Sequence, residues 1–114
     1  MDNSNAVLLL KALDGLSARS AITAENIANA STPGYRPLRL TFEKALAAAA
    51  AQGDDAVSKL EPAIERAQPG TPDAELRVDL ELATASQTAL RYAALVEMLS
   101  RQSQIDSLAI TGTL

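Results

Sequence analysis

From Ser4 to Ala30, apolar or small residues recur at alternating steps of three and four: Ala6, Leu9, Leu13, Leu16, Ser20, Thr23, Ile27 and Ala30. This spacing is that of a coiled-coil seam and predicts one helix over residues 4–30, with Ser4 as its N-cap. The pattern then runs into Thr32-Pro33-Gly34-Tyr35. Thr32, preceding a proline, is pushed out of the α region. Pro33 supplies the fixed φ of a second turn position, and Gly34 the positive φ that the third position of a type II turn requires. A long helix that stops in a stiff turn over residues 31–36 therefore constrains everything after it.

The material available to cover that helix is narrow. The chain has 114 residues, enough for one domain, and only three aromatics: Tyr35, Phe42 and Tyr92. A core of Ala, Leu, Val and Ile suits close-packed helices better than a sandwich. Gly15 interrupts the first helix at a cost of about 1 kcal/mol relative to Ala. It is either a tolerated helix glycine or the point where a neighbouring helix comes close.

Residues 37–75 form a different middle segment. A short helix is expected over 41–53, with Thr41 as cap and Gly53 just past its end. Pro62, Pro69, Gly70 and Pro72 mark the remainder as loop, with a brief extended piece at Ala63–Arg66. A second long helix occupies residues 76–110. Thr71-Pro72 and Asp79 are its candidate starts, and Asp79 is preferred because Pro69–Pro72 reads as loop. Its seam runs Leu82, Ala85, Ala89, Tyr92, Val96 and Leu99, then shifts to Leu95, Met98, Gln102, Ile105 and Ala109 as a stutter would produce.

The expected fold is mainly α: two long terminal helices pairing as an antiparallel coiled-coil-like hairpin, with a loop-rich middle containing a short helix. Helices of about 27 and 30 residues would each be roughly 40–45 Å long. Both carry apolar residues on a wider arc than one stripe, so a lone hairpin leaves Leu8, Leu10, Leu90 or Leu95 wet. Either other molecules cover that surface, or the middle segment folds back as a third helix.

Catalysis finds no support. With no histidine the commonest general base and metal ligand is missing, and with no cysteine thiolate chemistry is excluded. The five glycines make neither a dinucleotide fingerprint nor a phosphate loop. Asp54-Asp55 and Glu61/Glu65 lie in a polar stretch that organises no converging oxygens. No enzyme activity, cofactor, metal or small-molecule substrate is expected. A net charge of −4 with scattered basic residues argues against nucleic acid, and polar faces without basic residues argue against a membrane surface. Met1-Asp2-Asn3-Ser4-Asn5 lacks the basic start of a secretory signal.

Two stretches resemble a known family. "SARSAITAENIANASTPGYR" (17–36) is similar to the N-terminal motif of flagellar axial proteins of the rod and hook, where a helix ends in Asn-x-Ala-Asn before a Thr-Pro-Gly-Tyr turn. "VDLELATASQTALRYAALVEMLSRQSQIDSLAITG" (78–112) resembles the C-terminal helix of proximal rod members, with a Leu-Arg-Tyr centre and an Ala-Ile-x-Gly end. A middle of about 40 residues leaves no room for the extra domains of hook and distal-rod members. The resemblance implies a structural subunit of the bacterial flagellar basal-body rod. It would leave the cell without a cleaved signal, through the flagellum-specific type III apparatus, and assemble in the periplasm for motility. Its partners would be copies of itself, other rod proteins, and membrane-ring and export-apparatus proteins. A helical chaperone or adaptor of such a secretion system is the alternative.

The residues expected to carry assembly are Asn26, Asn29, Thr32, Pro33, Gly34 and Tyr35 at the turn. On the second helix they are Leu82, Ala89, Leu90, Arg91, Tyr92, Val96 and Leu99. Asn26 and Asn29 lie three apart on one helical face. Either they bond their own last-turn carbonyls, or their amides bond neighbouring backbone and set register as a buried coiled-coil Asn does. Tyr35 is expected to cover the helix end and offer its hydroxyl to a partner. Tyr92 is expected to pack, and Arg91 either to pair with an acid on a neighbouring chain or to stay solvated.

Overall fold

The computed structural model describes residues 4–112. In chain order it contains α1 (Ser4–Ala28), β1 (Leu38–Thr41), α2 (Glu43–Gln52), α3 (Asp54–Lys59), β2 (Ala63–Arg66), a 3-10 turn (Pro72–Ala74) and α4 (Val78–Thr111). The fold is mainly helical, and its two long helices pack against each other. Asn26, near the end of α1, meets Glu81 in the first turns of α4. Ala12 and Leu16 flank the same groove as Arg91 and Leu95, so the pair is antiparallel. The molecule is 61 Å long and 15 Å across its thinnest direction.

Helix ends follow local chemistry, with corrections. Ser4 is itself helical and its hydroxyl donates to Asp54, 3.1 Å away, so the cap position falls outside the described residues. α1 stops at Ala28 rather than Ala30, and the chain tightens there through Ala30 N–H to the Ile27 carbonyl. Thr41 does not cap α2. It closes β1, and Phe42 takes the cap position because its ring is needed in the core. Asp79 does not cap α4 either. The helix begins at Val78, and Asp79 instead accepts from Arg77 in a first turn where the dipole favours acid. Thr71-Pro72 does open a helix, but only the single 3-10 turn.

The middle segment adds a two-stranded sheet and a second short helix to the short helix expected there. β1 and β2 pair antiparallel, Leu38 opposite Arg66 and Thr41 opposite Ala63, so the extended piece expected at Ala63–Arg66 has a partner strand that periodicity did not reveal. α3, expected as loop, is held on α1 by buried Val57 and by Lys11, whose ammonium donates to the Ser58 carbonyl. The buried apolar residues are Leu13, Leu16 and Ile22 of α1 with Phe42, Ala49, Val57 and Ala67 of the middle segment. Among the described residues, α4 contributes none. The middle segment, not α4, closes the hydrophobic core on α1.

Gly15 makes that closure possible. A Cβ there would lie within 2.9 Å of three carbons of the Phe42 ring, so the glycine admits a ring rather than a neighbouring helix. Arg19 pins the start of α2 to α1 through both its Nη atoms, with Nη2 3.0 Å from Glu43 Oε2, and this bond holds the Glu43 carboxyl below its ordinary pKa. Gly15→Ala should lower stability although alanine is the better helix former. Overpacking costs about 1–3 kcal/mol against a propensity gain of about 1 kcal/mol. A denaturation midpoint below wild type is the expected readout; a raised midpoint would show that the ring yields freely.

Candidate assembly site at the turn

The site begins with an amide that the helix cannot satisfy. Asn26 is 1% exposed, on the last full turn of α1, where its side chain points at the returning chain. Burying an amide requires partners for two acceptor and two donor directions. All four are found. The Oδ1 atom accepts from the Tyr35 hydroxyl and the Leu38 N–H, each at 2.8 Å. The Nδ2 group donates to the Leu38 carbonyl at 2.9 Å and to Glu81 Oε2 at 3.3 Å.

Glu81 extends the network into α4. Its side chain is buried, and its second oxygen accepts from Arg39 Nη1 at 2.6 Å. Arg39 in turn donates to the carbonyls of Asp73 and Glu75, tying down the chain that leads into α4. A buried carboxylate is tolerated only when its lone pairs are matched in this way. α1, β1, α4 and the chain leading into α4 therefore share one polar cluster, and no buried side-chain polar atom among the described residues lacks a partner.

The turn delivers those partners. Tyr35 N–H bonds the Thr32 carbonyl at 3.2 Å, and Gly34 has φ +74°, as a type II turn with Pro33 and Gly34 at its centre requires. Thr32, Pro33 and Gly34 are themselves exposed. Tyr35 gives its hydroxyl to Asn26 of its own chain, and Arg66 stacks over its ring at 5.4 Å. Asn29 behaves differently from Asn26. Its amide donates to the Glu25 carbonyl one turn back, and its oxygen accepts from Thr32 Oγ1. One asparagine therefore sets register across the fold and the other closes its own helix.

On α4 most of the residues singled out as packing positions are not buried against α1, although Leu99 is half-buried and Ala89 and Tyr92 border a cleft with Leu16, Ser17 and Ser20. The line most buried against α1 runs one residue earlier, through buried Glu81 and Thr88 and half-buried Leu95. Leu82, Leu90 and Val96 stand 52, 75 and 45% exposed, and Ala89, Arg91 and Tyr92 are also on the exposed surface. Ten of the twelve exposed large apolar residues among those described belong to α4. The cause is the polar cluster: seating Glu81 between Asn26 and Arg39 rotates the apolar seam away from α1. Glu81 and Arg39 escaped sequence reasoning. An acid lying next to the seam at the start of α4 is a signal for the first; nothing in the sequence marks the second.

A family model described as the flagella basal body rod protein matches residues 9–36. Over these residues the chain is similar to the flagellar basal-body rod family. The matched span is the body of α1 together with the Thr-Pro-Gly-Tyr turn, so it contains both Asn26 and the residues that bring Tyr35 onto it. No curated protein and no solved structure matches the chain. The family is one of structural components of the rod.

Proposed function

We propose that this rod-family chain is a proximal-rod subunit of the FlgB type. It would be exported without a cleaved signal and would assemble through its two terminal helices with copies of itself and other rod proteins. The observation that carries this is the α4 seam of exposed Val78, Leu82, Ala89, Tyr92 and Val96, whose steps of four and three are completed by half-buried Ala85 and Leu99. A heptad stripe of this length left on the surface is a docking face for further helices. In this reading the turn residues Asn26, Asn29, Thr32, Pro33, Gly34 and Tyr35 hold the exit angle that every subunit of a lattice shares. The α4 residues Leu82, Ala89, Leu90, Arg91, Tyr92, Val96 and Leu99 meet neighbouring subunits. Contacts that repeat without closing then build a helical array.

Gly34→Val tests the reading. A β-branched residue at φ +74° is strained by about 1–2 kcal/mol, enough to redirect the turn without unfolding the chain. The expected result is a soluble monomer that no longer enters basal bodies and does not support motility. Normal swimming in that variant would sink the role given to the turn. Tracking export separates the alternative, because a subunit leaves the cytoplasm and an adaptor stays.

A further inference from the structure

α4 is longer than the helix it pairs with. With Asn26 against Glu81 and Ala12 beside Leu95, the antiparallel register brings Ser4 opposite about residue 103. Roughly eight residues of α4, about 12 Å, run past the described start of α1. This overhang keeps Ile105 and Ile110 exposed, the latter at 86%. Asp106 lies between them around the helix and accepts only a long bond, 3.4 Å, from Gln102.

A groove elsewhere on the molecule matches that end. It lies between α2 and α4 over the floor formed by Leu16 and Phe42, has a volume of about 260 Å³, and is lined almost wholly by apolar atoms. That is below the range of roughly 300–1,000 Å³ usual for small-molecule sites. Arg91 stands in its wall without a hydrogen bond or ion pair among the described residues, whereas Glu43, the carboxylate in the lining, is already paired with Arg19. An apolar trough with one unpaired guanidinium selects an apolar helix end that carries one carboxylate.

We infer that the α4 overhang of one copy seats in the α2–α4 groove of the next, with Asp106 pairing to Arg91 and Ile105 and Ile110 filling the trough. This rests on the rod-subunit reading and names the partner of its exposed helix. The same copy cannot fill its own groove, because Ala94 in the groove wall and Ala109 on the overhang are about 22 Å apart along one straight helix. Groove and overhang are different surfaces, so the contact is heterologous and propagates.

The cysteine-free chain allows a direct test. Ala94→Cys and Ala109→Cys together can form a disulfide only between copies, since the bond requires Cα atoms within about 7 Å. Oxidation of the concentrated full-length double variant should give a ladder of dimers, trimers and longer chains. The two single variants should cross-link to each other only when mixed. Arg91→Glu should cut the ladder at least tenfold, and Asp106→Arg in the same chain should restore it. Monomer alone at millimolar concentration, dimers without longer products, or a ladder that ignores the charge exchange would each overturn the contact. If the reduced double variant enters basal bodies while giving no ladder, the groove assignment falls and the rod reading stands. Wild-type chain missing from basal bodies would remove the rod reading itself.

Discussion

Asn26→Ala is expected to lower the unfolding free energy by about 3–5 kcal/mol, a loss out of proportion to one small amide. The substitution strands the N–H and carbonyl of Leu38, the Tyr35 hydroxyl and one oxygen of the buried Glu81 together. Each orphaned buried group costs about 1–3 kcal/mol unless water reaches it. Asn26→Asp should be no milder. It keeps the acceptor but loses the donor to Leu38, and it sets a second carboxylate against Glu81. Asn29→Ala, three residues on, removes bonds within its own exposed helix end and should cost no more than about 1 kcal/mol. Denaturant unfolding of the three variants checks the contrast. Equal losses at 26 and 29 would mean that the cluster carries no special weight.

Phe42→Ala is expected to be as severe, about 3–5 kcal/mol, because the one phenylalanine of the chain fills the space over Gly15 and closes the core between α1 and the middle segment. A double-mutant cycle sharpens the point. Gly15→Ala, destabilising in the wild type, should become neutral or stabilising once the ring is gone, since the added methyl then enters vacated space and the better helix propensity remains. Additive losses would refute direct ring-on-glycine packing. Because α4 adds no fully buried apolar side chain among the described residues, disruption at Phe42 should melt α1 and the middle segment together. Hydrogen exchange would show protection lost along both.

Local restrictions made several features legible in advance. Thr32-Pro33-Gly34-Tyr35 forms the expected type II turn because the allowed φ of a proline and the positive φ of a glycine leave few other paths. Gly53 stands just past α2, and Ala63–Arg66 is extended, for similarly local reasons. The two long helices follow from their periodicity, which needs no knowledge of a partner. α3 stayed hidden among prolines and charges because six residues carry too little periodicity. Val57, its anchor, acquires meaning only when α1 lies beneath it.

Residue order alone places the two long helices and the turn that leads from the first of them into the middle segment, since φ/ψ limits and helical spacing act over a few residues. Packing across the fold selects which face of α4 meets α1, which of two similar asparagines becomes a clamp, and the use of Gly15 to make room for Phe42. Those outcomes depend on partners 27 to 55 residues away in the chain, as with Asn26 and Glu81. An apolar arc wider than one stripe permits several packings of nearly equal hydrophobic gain. The cost of leaving one buried carboxylate unmatched is what selects among them.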